Sequence, residues 1–245
     1  METVRVALAG NPNTGKTTIF NALTGSRQYI GNWPGVTVEK VEGSYEKDGR
    51  LYQVVDLPGT YDLCTHTLDE RVARDYLVKE RPEVVVVVLD TCNLERTLYL
   101  LLLILEMGLK VVAVFNMFDR ATEQGLEVDL ERFSSSLSIL CVATVAHRQI
   151  GISELKEAIT QTLSRPVGFS PVNYGEKVSK LVRELEEAVR PFRPPYPAAY
   201  VALKLVEHDP EMTEWLVHND VTGRIKMMLE SLKAEIKEPE TFFWE

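Results

Sequence analysis

Cysteine is scarce in this chain: Cys64, Cys92 and Cys141 are scattered over 245 residues, with no Cys-x-x-Cys pair. That excludes a disulfide framework and a cysteine-based metal knot as the source of stability, and it reads as reduced thiols in a cytosolic compartment. An excess of basic charge is missing as well. The formal net charge is -9, whereas a phosphate backbone is bound by clustered Lys and Arg, so no nucleic-acid partner is expected. Long apolar runs are absent too. The longest, residues 98–105, is bounded by Arg96 and Glu106 and falls far short of the roughly 20 residues that span a bilayer. Met1 leads almost at once into a strand-like run, so no signal peptide is expected and the chain as given reads as soluble. Internal repeats and low-complexity tracts are not evident.

What is there is a chain of 45% hydrophobic residues, ample for a core in one or two domains. Apolar runs at 4–9, 84–89, 111–115 and 139–144, separated by helix-length segments, predict buried parallel strands of a doubly wound α/β sheet. Two further runs, 38–45 and 51–56, flank Lys47-Asp48-Gly49-Arg50. The Asp-Gly pair is a hairpin signal, so one antiparallel edge strand is expected. An amphipathic stretch at 153–163 ends the pattern, and Pro166, Gly168, Pro171 and Gly175 then mark a linker. Beyond it the strand signal vanishes, and helical periodicity runs through 176–189, 198–206, 211–217 and 222–236, with a Pro-rich break at 191–197. The expected organisation is an α/β domain over 1–165, a linker over 166–175 and a small all-α domain over 176–245.

Gly10-Asn11-Pro12-Asn13-Thr14-Gly15-Lys16-Thr17 lies between the first strand run and a helix-like run that opens at Thr18. This is a P-loop in its required context. Its glycines let backbone N–H groups turn inward around phosphate oxygens, and the helix N-terminus adds partial positive charge. Lys16 reaches the outer phosphates and Thr17 can ligate magnesium. Asp56-Leu57-Pro58-Gly59 follows the second hairpin run, where Asp56 can act on magnesium through water and Gly59 can offer an N–H to a γ-phosphate. Asn116-Met117-Phe118-Asp119 closes another strand run. An Asp there accepts both the N1 and N2 protons of guanine, and adenine, lacking those donors, would leave it unpaired, a penalty reaching factors of about 10⁴ to 10⁵. Thr144-Val145-Ala146 ends the last strand run and would present a backbone N–H to the guanine carbonyl. His147 beside it reads as a loop residue.

Gly31-Asn32-Trp33-Pro34-Gly35-Val36-Thr37-Val38-Glu39 lies between the P-loop helix and the hairpin. A guanine-nucleotide switch needs a Thr here for magnesium and the γ-phosphate, and Thr37 is the candidate, with Gly35 and Val36 beside it at the nucleotide. The glycines and the proline fit a loop that orders with triphosphate and releases after hydrolysis.

Together these strings resemble the cytosolic G-domain region of FeoB, the prokaryotic ferrous-iron transporter, over nearly the whole chain. The Gly-Asn-Trp-Pro-Gly-Val-Thr string is the most specific of them. The resemblance implies a Ras-like P-loop G domain followed by a helical domain, GTP and GDP as ligands with Mg2+, and attachment to a membrane region at the cytoplasmic face of the cell membrane, outside this chain. It leaves room for a homo-oligomer and for small accessory transport proteins. It also implies potassium-stimulated hydrolysis, with Asn13 ligating K+ and the backbone at Gly31 and Trp33 completing that site. Asn13, Lys16, Thr37 and Gly59 are then the catalytic set. A physical need is visible: Thr60 stands where Ras-like proteins put a water-orienting Gln, and no arginine finger, a group worth about 10³ to 10⁵ in rate, can be named from the sequence. Met117 replaces the Lys of the general Asn-Lys-x-Asp pattern, a feature common in the resembled family that predicts weaker nucleotide retention.

Cys64 and His66, which an iron context invites reading as a ligand pair, lack the three or four donors of a firm site. Asp69-Glu70 reads as a solvated helix start. Other readings of the same residues are a nucleotide sensor without required turnover and an RNA-linked GTPase, against which the acidic charge and the helical tail count. A P-loop kinase would have no need of Asn116 and Asp119.

Overall fold

From Val84 to Leu89 every side chain is fully buried. A strand so apolar on both faces needs cover on both, which is the environment of a central strand in an α/β sheet. The computed structural model describes residues 2–25, 28–63, 67–167, 175–194, 196–219 and 223–235, and the chain divides into two compact units, Met1–Ser170 and Pro171–Glu245.

The first unit runs β1 (Glu2–Gly10), α1 (Lys16–Thr24), β2 (Gln28–Asn32), β3 (Glu39–Lys47), β4 (Arg50–Asp56), α2 (Leu68–Lys79), β5 (Val84–Asp90), α3 (Leu94–Glu106), β6 (Val111–Asn116), α4 (Phe118–Glu123), α5 (Leu130–Leu137), β7 (Leu140–Ala143) and α6 (Ile152–Ser164). Its seven strands lie in the order β2-β3-β4-β1-β5-β6-β7. Pairing is parallel from β4 to β7 and antiparallel for β2 with β3 and β3 with β4. The β3–β4 hairpin turns at Asp48-Gly49, both with positive φ, as the Asp-Gly signal predicts. The single antiparallel strand expected from sequence becomes two. β2 pairs outside β3, Gln28 opposite Gly43 and Asn32 opposite Glu39, and takes the edge position. Four of its five residues are exposed, so it carries no alternation of apolar and polar residues by which periodicity could find it.

Ile19, Phe20 and Leu23 of α1 and Leu155 and Ile159 of α6 pack against Val6, Leu8, Val54, Val86 and Val112 in one core; each such side chain is worth about 1.5–3 kcal/mol. α2 begins with a capping box in which the Glu70 N–H donates to the Thr67 hydroxyl and the Thr67 N–H to the Glu70 carboxylate. Thr67 is therefore the N-cap of the helix start read there, and Glu70 completes the capping box.

The second unit contains α7 (Glu176–Val189), α8 (Ala198–Val206), α9 (Pro210–Asn219) and α10 (Arg224–Glu235). Val178, Leu181, Leu185 and Val189 form a buried stripe on α7, spaced at three and four residues as an amphipathic helix requires, and α7 packs on α8. The linker residues 168–174 and the helix-end positions Thr222 and Ile236 lie outside the described residues. Among the described residues no helix is long and apolar enough to cross a membrane.

Candidate functional site

β1 ends at Gly10 and α1 begins at Lys16, which places the intervening loop at the carboxyl edge of the parallel strands, where ligands of such sheets bind. A Cβ on Gly10 would sit 2.7 Å from the Val88 carbonyl oxygen, so β1 approaches β5 only with glycine there. Gly15 has φ +83, and a side chain on it would run into the Asn116 amide. The Thr14 hydroxyl and N–H both donate to the Asn11 carbonyl, at 2.9 and 3.4 Å, and close the loop. Asn13 is exposed, with φ 67, a left-handed conformation that Asn tolerates better than most residues.

At the end of β4, Lys16 ion-pairs with Asp56 Oδ1, and the Thr17 hydroxyl lies 3.4 Å from Asp56 Oδ2. Burial pushes the Asp56 carboxyl above its ordinary value, while the charge of Lys16 and hydrogen bonds from Lys16 and Thr17 draw it part of the way back. Thr17 and Asp56 offer the hard oxygens that magnesium selects, so the donor set fits that ion, which would compete with Lys16 for the carboxylate. The chain then follows the P-loop closely. The Leu57 N–H donates to the Leu8 carbonyl at 3.0 Å and the Thr60 N–H to the Gly10 carbonyl at 3.3 Å. A Cβ on Gly59 would lie 3.3 Å from Pro12 Cα, and Thr60 is buried.

Asn116, at the end of β6, ties three loops together. Its Nδ2 donates to the Thr14 carbonyl at 2.9 Å, and its Oδ1 accepts from the Thr144 hydroxyl at 3.0 Å and the Ala146 N–H at 3.2 Å. Its own carbonyl accepts from Thr91 at 2.6 Å, a partner no motif signals. Met117 has φ 59 and its methyl carbon lies 3.8 Å from where a Gly15 Cβ would be, so the thioether packs along the P-loop. Asp119 Oδ1 is buried without a hydrogen-bond partner, an uncommon and costly condition for a carboxylate oxygen. The two vicinal N–H donors of guanine would relieve it, so this edge fits that base. The Val145 N–H donates to the Ile150 carbonyl at 3.1 Å; a base carbonyl would share the Ala146 N–H with Asn116.

Thr37 lies in a turn over residues 33–38 that joins β2 to β3. Gly31 and Asn32 finish β2, paired with Lys40 and Glu39. The Trp33 N–H donates to the Val38 carbonyl at 2.9 Å and its carbonyl accepts from Val36 at 3.2 Å. The Trp33 ring meets Tyr76 of α2 edge-on at 5.3 Å between centroids, with Lys40 5.0 Å over it. A cavity of about 1000 Å³ opens between this hairpin and α2, lined by Val36, Arg71 and Tyr76 among others. Thr37 is exposed in the turn with Gly35 and the half-buried Val36. Among the described residues no hydrogen bond or ring contact joins Asn13 to Gly31 or Trp33. Arg74, fully buried, donates to the Leu63 carbonyl at 3.1 Å; a lone Arg on a helix gave no sequence signal of that role. Cys64 and His66 lie outside the described residues. Burial pushes the Cys141 thiol up to about 12, which keeps it protonated at neutral pH.

Residues 4–159 match the family model described as ferrous iron transport protein B, and residues 174–243 the FeoB cytosolic helical domain. The Fe(2+) transporter FeoB of Methanocaldococcus jannaschii is 39% identical over 244 residues, covering 96% of this chain and 35% of that protein. The chain thus spans about a third of the length of the curated relatives it matches. The cytosolic domain of the T. maritima FeoB iron transporter, solved in a GMPPNP form, superposes with a TM-score of 0.83 at 38% identity, covering 95% of this chain and 98% of that one. A mutant of S. thermophilus NFeoB bound to mGDP gives a TM-score of 0.87 at 32% identity, covering 98% and 94%. The chain belongs to the ferrous iron transport protein B (FeoB) family, of which it carries the GTPase domain and the cytosolic helical domain.

Proposed function

We propose that this chain binds GTP with Mg2+ at the P-loop, hydrolyses it slowly with potassium stimulation, and thereby regulates or drives ferrous iron uptake through a membrane region of the full-length protein. The curated relatives are Fe(2+) transporters, and related cytosolic domains are solved in a GMPPNP form and bound to mGDP. On this reading the G domain covers 1–165, the linker 166–175 and the helical domain 176–245, and the chain lies at the cytoplasmic face of the membrane.

The observation that carries the guanine assignment is the buried, partnerless Asp119 Oδ1 beside the Asn116 network. Asp119 accepts from the base, Met117 packs along it, and Asn116 holds the loops in register. Lys16 meets the outer phosphates, and Gly59 and the P-loop N–H groups hold the transferring phosphoryl. Thr17, Thr37 and Asp56, the last through water, would hold magnesium, which would supply charge neutralisation at the phosphates. Asp119→Asn is the test. It replaces an acceptor by a donor, so GTP affinity falls steeply and xanthosine triphosphate, with a carbonyl where guanine has an amine, gains. Equal loss for both nucleotides, or ATP competing as well as GTP, would refute the base assignment.

The potassium reading rests on the exposed side chain of Asn13 in the P-loop and on the buried Thr60, whose hydroxyl is no substitute for a water-orienting amide. A monovalent ion meets charge that spreads over the phosphoryl group in the transition state. Hydrolysis faster in K+ than in Na+, with the difference lost in Asn13→Ala, is the expected result; equal rates in the two salts would sink the idea. In the full-length protein, a variant that binds GTP without hydrolysing it separates an enzyme from a sensor: retained iron uptake favours occupancy alone.

A further inference from the structure

Tyr61 directly follows the Thr60 whose N–H is bonded to the Gly10 carbonyl, and the residue is 41% exposed. A tyrosine this exposed is not held in place by burial. The guanidinium of Arg96, in the first turn of α3, lies 4.3 Å from the Tyr61 ring centroid. That is close for a cation over an aromatic face. The backbone of the same residue reaches the P-loop, since Asn11 Nδ2 donates to the Arg96 carbonyl at 3.5 Å. On the far side, Arg74 of α2 holds the Leu63 carbonyl at 3.1 Å. The segment from Gly59 to Leu63 is thus fastened at three places: by backbone at Thr60, by the Arg96 guanidinium at Tyr61, and by Arg74 at Leu63.

We propose that Arg96 is a positioning residue for GTP hydrolysis, its guanidinium clamping Tyr61 so that Gly59 and Thr60 stay aligned with the P-loop. The inference rests on the GTPase reading above. Arg96 does not touch the nucleotide; it acts through Tyr61. The clamp also gives α3 a direct connection to the segment that responds to the γ-phosphate, because any displacement of Tyr61 changes what the first turn of α3 presents.

The test compares Arg96→Ala, Arg96→Lys, Tyr61→Phe and Tyr61→Leu with the wild type in single-turnover and steady-state GTP hydrolysis. An exposed cation–π contact predicts a loss of about two- to fivefold in kcat for Arg96→Ala and Tyr61→Leu, with KM for GTP and affinity for GDP unchanged. Arg96→Lys and Tyr61→Phe, which keep a cation and a ring, retain most of the rate, and the double variant Arg96→Ala/Tyr61→Leu is no slower than either single one. In a second readout, Tyr61→Trp changes emission between GDP and GMPPNP, and adding Arg96→Ala removes that difference. A wild-type kcat in Arg96→Ala, additive losses in the double variant, or an effect confined to KM would overturn the proposal while leaving the GTPase reading intact. A wild type that fails to hydrolyse GTP would overturn both.

Discussion

The side-chain amide of Asn116 donates to the main-chain carbonyl of Thr14 at 2.9 Å, across 102 positions of sequence. One buried amide therefore sets the height of the P-loop against the strand end that carries Met117 and Asp119. Because the same side chain also accepts from Thr144 and Ala146, it ties the P-loop to the loop that follows β7.

Asn116→Ala should consequently do more than remove one contact. It leaves the Thr144 hydroxyl, the Ala146 N–H and the Thr14 carbonyl without their partner, and buried groups so orphaned cost about 1–3 kcal/mol each, offset in part by relaxation. A loss of about 2–4 kcal/mol in urea unfolding is expected, with GTP affinity reduced by more than about tenfold in calorimetry. Unchanged unfolding with normal affinity would show that the network is dispensable.

Gly15→Ala tests the same joint from the other side. The position has φ +83 and its Cβ would enter the space of the Asn116 amide, so strain and displacement add, at about 1–3 kcal/mol for the backbone alone. Nucleotide binding measured by fluorescent GDP should be lost while the sheet core, read by circular dichroism, persists. Wild-type GDP binding in this variant would refute the steric argument.

Met117→Lys should slow GDP release. The methyl packs toward Gly15, and a lysine of similar reach adds an ammonium that can donate to the P-loop and the ribose ring oxygen. Stopped-flow release of labelled GDP measures it; a rate equal to wild type would mean that the thioether is not what weakens retention.

The Arg5–Glu83 pair gives a pH dependence. Burial pushes the Glu83 carboxyl up, but hydrogen bonds from the Arg5 side chain and N–H, together with its charge, outweigh that and leave it below its ordinary value. A carboxylate lowered in the folded state contributes stability above its unfolded value and loses it as pH falls through the lowered one. Glu83→Gln should therefore lower Tm at about pH 7, with the gap closing as the pH falls below the ordinary glutamate range. A gap that persists in acid would assign the effect to packing instead. Both side chains are substantially exposed, so the gap is small.

Much of this protein is readable along the chain because its signals are local. The 84–89 run announces a strand buried on both faces, and β5 spans it; Asp48-Gly49 announces the hairpin that joins β3 to β4. The stripe of Val178, Leu181 and Leu185 announces α7. Each nucleotide motif ends a strand run, so the rule that such sheets bind ligands at their carboxyl edge suffices to gather Lys16, Asp56, Asn116 and Thr144 at one edge.

Tertiary structure alone decided the rest. β2 is polar and exposed, so burial left no mark on its sequence, and only its hydrogen bonds to β3 make it a strand. Trp33 meets Tyr76 and Lys40 in the angle between the hairpin and α2, partners that its own motif does not announce. The amide of Asn116, the buried guanidinium of Arg74 and the ring of Tyr61 under Arg96 find partners on other elements. Periodicity in a sequence records that a face is covered; it holds no record of which distant residue covers it, because that choice is made by packing and by the need of every buried polar atom for a partner.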